Sequence, residues 1–240
     1  DLMENYSLVV QDLAQKIESG IYKGGDQLPL ESQLCETYHV SRITIKRATD
    51  LLVQLGLITK RRGAGSFVKD RPHAQGPFSN IGDNVPFTGF TRQFAGHKVS
   101  TELNKFVVIP ATGEVAERLN LAEDDLVYYI CRTRYVSDVP YVVEYTYMPV
   151  DIIPGINRRV LVGSIYSYIL ETLHLKPQSA HRTLRAVLST KKEMEYFHVK
   201  EQLALLEIEQ VAYLDDGRIF EFSRSHCRGD KYNYKCVSIW

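Results

Sequence analysis

The sequence predicts an α+β protein of two domains, and three observations carry that prediction. Apolar residues recur at helical spacing between Tyr6 and Leu55. Turn formers then crowd residues 70–86, where Pro72, Gly76, Pro77, Gly82 and Pro86 stand among Ser, Asn and Asp. Alternating apolar runs, the mark of half-buried strands, dominate the chain beyond residue 86. The boundaries are drawn at residues 1–70 for the first domain, 71–85 for a linker and 86–240 for the second.

The first domain reads as three helices and a small hairpin. Tyr6, Val9, Val10, Leu13, Ala14 and Ile17 form one helical stripe, and Gly20 is placed to end it. After a turn over Tyr22–Asp26, Pro29 opens a short helix with Leu30, Leu34 and Tyr38 on one face. Ser41 is placed as the N-cap of a third helix, its hydroxyl able to accept from a free backbone N–H. Ile45, Ala48, Leu52 and Leu55 make that helix's buried stripe, and Gly56 stops it. Strands at residues 57–60 and 66–69 flank Arg61-Arg62-Gly63-Ala64-Gly65. Only His39-Val40 separates the second helix from the third, short enough for a helix-turn-helix corner, so the order predicts a winged helix-turn-helix.

In the second domain, strands are expected at residues 103–109, 126–136, 141–148, 179–189, 203–214 and 219–228. Helices are expected at residues 112–119, 164–173 and 191–197. Ser137-Asp138-Val139-Pro140 joins one pair of strands, and Asp215-Asp216-Gly217-Arg218 joins another, where Asp-Gly favours a tight turn.

Composition limits the function. Lys and Arg total 29 and so do Asp and Glu, which excludes a polyelectrolyte that binds through overall charge. Hydrophobic residues at 44% and charged residues at 24% are globular values. No apolar run approaches the ~18 residues of a membrane span and the N-terminus lacks a signal-peptide layout, so a cytoplasmic protein with no membrane partner is expected. Cys35, Cys131, Cys227 and Cys236 form no Cys-x2-Cys pair and no His stands at ligand spacing. No metal or other cofactor is expected, and the thiols read as small, mostly buried side chains.

Charge is nonetheless sharply segregated. Residues 41–71 carry Arg42, Lys46, Arg47, Lys60, Arg61, Arg62, Lys69 and Arg71 against Asp50 and Asp70, whereas residues 1–40 carry two basic residues against seven acidic ones. The third helix and the wing are therefore the positive end, suited to a phosphate backbone. Arg42 and Lys46 share a helix face, Arg42 can grip a guanine edge through two parallel hydrogen bonds, and Ser41 and Thr44 stand in the same first turn. Gly63 and Gly65 permit positive φ and close approach to a backbone. A solvated basic face would need no helix-turn-helix and no glycine wing beside it.

These residues resemble a known family. Gly20-Ile21-Tyr22, Leu28-Pro29, Glu31, Val40-Ser41-Arg42, Thr44, Lys46, Gly56-Leu57-Ile58 and Gly63-Ala64-Gly65-Ser66-Phe67-Val68 are similar to the GntR-type winged helix. The resemblance implies that Ser41, Arg42, Thr44, Lys46 and Gly65 contact operator DNA; the charge cluster and the wing add Arg47, Arg62 and Gly63 as candidates beside them. Leu30 departs from it, since relatives often place Ser there to open the second helix.

The remainder resembles the UTRA effector-binding domain of the HutC branch, through Arg132-x-Arg134, Pro140, Glu144, Tyr147-Met148-Pro149, Ser164-Ile165-Tyr166, Glu221 and Arg228-Gly229-Asp230-Lys231-Tyr232. It implies a chorismate-lyase-like antiparallel sheet with peripheral helices, and a homodimer. Arg132 and Arg134, two apart on a strand, point the same way and can grip one anion. Ser164 and Tyr166 stand at an expected helix start, where free N–H groups also favour an anion. In relatives that respond to sugar phosphates, positions matching these four bind the phosphate and those of Glu144 and Glu221 meet the sugar hydroxyls. Thr88 and Thr91 are candidates to supplement the phosphate site.

The expected function is a ligand-responsive repressor released from a palindromic operator by a small anion such as a phosphorylated sugar, and not an enzyme. Competing readings are a non-sugar carboxylate or amino-acid derivative as effector, a lyase-like enzyme on the second fold, and a second domain that only dimerises. Arg-x-Arg and Glu on neighbouring strands could also simply pair on a solvated sheet face.

Overall fold

The computed structural model describes residues 2–70, 90, 94 and 96–234. The chain divides into two compact units, with the break between residues 86 and 87. The expected linker at residues 71–85, and the candidates Thr88 and Thr91, lie outside the described residues.

The first unit holds α1 (Leu2–Glu18), α2 (Glu31–Tyr38), α3 (Arg42–Gln54) and an antiparallel pair, β1 (Ile58–Arg61) and β2 (Gly65–Val68). The stripes read from the sequence meet in one core, where Leu13, Ile45, Ala48, Leu52 and Ile58 are fully buried. His39, at φ 52°, turns the chain between α2 and α3. Leu30 does not share the buried face expected of it; it is half exposed because it is the N-cap of α2, not a helical residue. Lacking a side-chain acceptor, it leaves half of that cap empty, while Gln33 Oε1 accepts the Leu30 N–H at 2.8 Å.

The second unit is built on β3 (Val99–Pro110), β4 (Leu126–Val136), β5 (Val139–Pro149), β6 (Pro177–Leu188), β7 (Ala204–Leu214) and β8 (Ile219–Arg228). They form one antiparallel sheet in the order β3-β4-β5-β8-β7-β6, two meanders joined where β5 meets β8. Ser137 and Asp138, both at positive φ, make the β4–β5 turn, so Val139 and Pro140 belong to the strand instead of the connection. Pro140 is tolerated because β5 pairs with β8 only from Val142 onward, so no ladder bond on that side is lost.

Around the sheet lie α4 (Gly113–Leu119), α5 (Arg158–Val162), α6 (Ile165–Ser167) and α7 (Lys191–Tyr196). The helix expected over residues 164–173 is a single turn, α6, that widens into a π turn at Tyr168–Thr172, where the Leu173 N–H reaches Tyr168 O at 3.1 Å. Ile165 and Ile169 stay buried, while the Tyr168 hydroxyl donates to Pro154 O at 2.9 Å. Helical spacing in the sequence does not reveal α5. Asn157 caps it, accepting from the Arg159 and Val160 N–H groups, but five residues are too few to show a period.

The two faces of the sheet differ. One packs Ile130, Met148 and Phe220 against Leu161, Ile165 and Ile169. On the other, His226 is held through Nδ1 by Glu193 and through Nε2 by Glu207 at 2.9 Å. Glu193 also accepts from Tyr145 at 2.9 Å and completes a capping box with Thr190, which ties α7 to the sheet.

Candidate functional site

The start of α3 has the geometry expected of a reading helix. Ser41 caps it, its Oγ accepting the Thr44 N–H at 3.2 Å. The Arg42 side chain is 82% exposed, with only a 3.7 Å approach to Glu31, and Lys46 and Arg47 are exposed as well. Thr44 corrects the expectation that the first turn presents it: it is buried, and its hydroxyl bonds Ser41 Oγ at 2.9 Å. It shapes the cap instead of facing outward. Ile43 was missed. It is 64% exposed, off the stripe of Ile45 and Ala48, and stands beside Arg42 where an apolar side chain can meet a thymine methyl.

The wing is pinned at its turn. Gln27 Nε2 donates to Ala64 O at 2.7 Å, and the Leu28 N–H donates to Ser66 O at 2.9 Å. Gly65, at φ +107°, admits this approach, since a Cβ there would meet Gln27 Nε2 at 2.8 Å. Gly63 also has positive φ. Arg61 lies over the Phe67 ring and Lys60 is paired with Asp50 at 2.7 Å, whereas Arg62, next in the chain, is exposed.

In the second unit, Arg132 and Arg134 do point to one side of β4, as a period of two requires. Register places Glu144 of β5 opposite Arg132. Arg132 Nη2 donates to Glu144 Oε2 at 2.5 Å, and Arg134 Nη1 approaches the same oxygen at 3.7 Å. The pairing anticipated by the rival reading is thus real, but its setting is not a solvated face: Arg132 and Arg134 are 5% and 3% exposed. Burial lowers the Arg134 guanidinium to about 10 against the pull of Glu144. Burial pushes the Glu144 carboxyl up, and the two arginines outweigh it to hold it below the usual range. Arg132 Nη1 donates to Leu161 O at 3.1 Å, and its buried Nε has no hydrogen-bond partner among the described residues. That orphan donor is what a bound acceptor would satisfy.

Tyr166 and Glu221 complete the site. The Tyr166 hydroxyl donates to Glu221 Oε2 at 2.7 Å, while Glu221 Oε1 accepts from Ser223 at 2.6 Å and Gln210 at 2.9 Å. Burial, and then the Glu221 charge, push the Tyr166 phenol well above its ordinary range, so it remains a donor. Ser164 caps α6, its Oγ accepting the Ser167 N–H at 3.1 Å. With α6 only three residues long, the expected helix-end field contributes little there. Phe90, also missed, stacks on the Arg134 guanidinium at 4.8 Å. No spacing in the sequence links Phe90 to β4. Among the described residues no group of His, Cys, Asp and Glu is arranged to hold a metal ion, and no helix is long and apolar enough to cross a membrane.

A basic reading helix with a glycine wing, joined to a separate sheet domain with a buried cation pair, defines a DNA-binding regulator governed by a small ligand. The chain matches the bacterial regulatory proteins of the gntR family over residues 5–68 and the UTRA domain over residues 95–233, and it belongs to that family. It is 35% identical to the HTH-type transcriptional regulator GmuR of Bacillus subtilis (strain 168), covering 99% of both chains. It is 27% identical to the mannosyl-D-glycerate transport/metabolism system repressor MngR of Escherichia coli (strain K12), covering 97% of this chain and 95% of that one. The crystal structure of the possible transcriptional regulator YydK from Bacillus subtilis superposes with a TM-score of 0.78 at 26% identity, over 98% of this chain and 99% of that one. The protein is a ligand-responsive, DNA-binding transcription regulator with an α+β two-domain fold, and its family consists of regulators, not enzymes.

Proposed function

We propose that the protein is a cytoplasmic repressor that leaves a palindromic operator when a phosphorylated sugar binds its second domain. The observation that carries this reading is the buried pair Arg132 and Arg134, sharing one carboxylate oxygen beside the Tyr166–Glu221 couple. Two guanidiniums withdrawn from water, one with an orphan N–H, suit a multiply charged anion with several acceptor oxygens. Glu144 and Glu221 beside them suit the hydroxyls of the same molecule, because carboxylates only accept. Ser164 and, from the entering segment, Thr88 and Thr91 belong to the same proposed phosphate site.

Two protomers place paired α3 helices in successive major grooves, where Ser41, Arg42, Lys46 and Arg47 face the duplex and Arg62, Gly63 and Gly65 lie along its backbone. Thr44 serves that surface from beneath. Release requires the effector to prefer the arrangement that mis-spaces the two helices, because equal affinity for both states shifts nothing.

The test is fluorescence anisotropy on the protein's own promoter DNA at low salt, with a panel of phosphorylated sugars. Tight, sequence-selective binding that one phosphosugar reverses, and its unphosphorylated parent does not, is the expected result. Binding that no phosphosugar reverses would leave the arginine pair without the assigned role.

A further inference from the structure

The outward face of α3 carries an apolar residue among charges. Thr44, Ile45, Ala48 and Thr49 are buried, which leaves Arg42, Ile43, Lys46, Arg47 and Asp50 on the exposed side. The one acidic member is answered locally, since Lys60 donates to Asp50 at 2.7 Å, so the face meets a duplex as a basic surface. Ile43 is the exception, 64% exposed and with no donor to offer a phosphate. Leaving it in water forgoes the gain of burying it, and a β-branched residue is a weaker helix former than the Lys or Arg around it. Neither packing nor helix formation accounts for an isoleucine there.

Its position on the helix does. At about 100° per residue, Arg42 and Arg47 lie about 140° apart around the axis and Ile43 falls between them. Long cationic side chains at the two margins can reach toward the groove walls, or in the case of Arg42 to a base edge, while the residue between them faces the floor. Ile43 also stands in the first turn, the end of a reading helix that comes nearest the bases. Its branched Cβ leaves one strongly preferred χ1 rotamer in a helix, so the surface it presents is fixed before DNA arrives. On the floor of the major groove the apolar group to meet is the C5-methyl of thymine; the other marks there are hydrogen-bond donors and acceptors.

We infer that Ile43 reads a thymine through its C5-methyl group, at a base pair adjoining the one contacted by Arg42, and so is a specificity-determining residue for the operator. This rests on the proposed seating of α3 in the major groove and adds a base identity to it. Because 5-methylcytosine presents a methyl at the same place, the same contact makes the regulator sensitive to cytosine methylation at that position.

Anisotropy on the promoter fragment tests it, with deoxyuridine substituted for one thymine at a time. That change removes the methyl and keeps both the pairing and the O4 acceptor. At one thymine per half-site the wild-type protein should lose about fourfold in affinity, the worth of one buried methyl, and about sixteenfold when both half-sites are changed. Ile43→Ala, which alters both protomers, should lose at least as much on the unmodified fragment and be indifferent to deoxyuridine at those positions, with its melting temperature unchanged. Ile43→Val should keep most of the preference. Replacing the same T·A pairs by 5-methylcytosine·G should cost the wild type less than replacing them by C·G, a difference that Ile43→Ala abolishes. A wild-type protein indifferent to every thymine methyl, or an Ile43→Ala variant that keeps the sensitivity, would overturn the assignment while leaving α3 as the DNA-binding element. Absence of selective promoter binding by the wild type would instead bring down the proposed operator reading, and this inference with it.

Discussion

Arg42 and Arg132 carry the same guanidinium into opposite surroundings. Arg42 projects from the first turn of α3 with its side chain 82% exposed and a loose approach to Glu31. Arg132 lies 5% exposed in the sheet domain, bonded to Glu144 and to Leu161 O. The exposed residue costs the fold nothing to display, and on the proposed function it meets a polyanion that brings its own field, so its contribution would be screened by salt. The buried residue is desolvated in advance and held in place by a carboxylate, and on the proposed function it would be felt only by a ligand that enters. One unit is built to be found by DNA, the other to discriminate among small molecules.

The largest effect that would break this contrast is on stability. Arg132→Ala strands Glu144 without its closest partner and should cost about 3–5 kcal/mol in urea unfolding, whereas Arg42→Ala should change stability by less than about 0.5 kcal/mol. Pairing Arg132→Met with Glu144→Gln should recover most of the loss. If Arg132→Ala proved as mild as Arg42→Ala, the buried pair would not be organising the sheet face.

DNA binding should show the reverse ranking. Arg42→Ala should weaken operator binding by about 1–3 kcal/mol and relax preference at one base pair, with a smaller loss on random duplex. Equal losses on both DNAs, measured by anisotropy, would reduce Arg42 to a phosphate contact.

The smallest effect concerns pH, and it too separates the units. Burial lowers the His226 affinity for a proton, but its bonds to Glu193 and Glu207 outweigh that and raise it above the usual imidazole range. Its stabilising contribution is therefore present in full below about 6.5, the unfolded value, and is lost as pH rises through the folded one. In the first unit Asp12 is lowered by Lys16 and Tyr38, so its contribution is present above the ordinary carboxylate range and is lost only as pH falls. Melting of the second unit should therefore weaken as pH rises above about 6.5, and His226→Gln should flatten that slope. A slope unchanged in the variant would place the titrating group elsewhere.

What could be read from the sequence was what chemistry fixes locally. Ser41 as a cap, Gly63 and Gly65 as left-handed wing positions, and the common direction of Arg132 and Arg134 come from turns and periods within a few residues. The limits of β4 at Leu126 and Val136 were read to the residue, because its apolar run is long and cleanly bounded. What escaped depended on pairing between distant segments. Placing Glu144 opposite Arg132 needs the β4–β5 register, and bringing Glu207 beside His226 needs the β7–β8 register, neither written in local spacing. Thr44 misled for a related reason: its position suggested a contact surface, but packing turned it inward.

Glu144 itself has a consequence for what the regulator can ignore. With its carboxylate seated on the guanidinium of Arg132, the sheet domain carries its own counter-ion for that buried cation. A lone inorganic anion from the cell's abundant metabolic background would have to dislodge that tenant and offers no carbon skeleton in compensation. On the proposed function, a molecule that re-employs the displaced carboxylate as an acceptor for its own hydroxyl groups would recover that cost, which would set it apart from bulk phosphate.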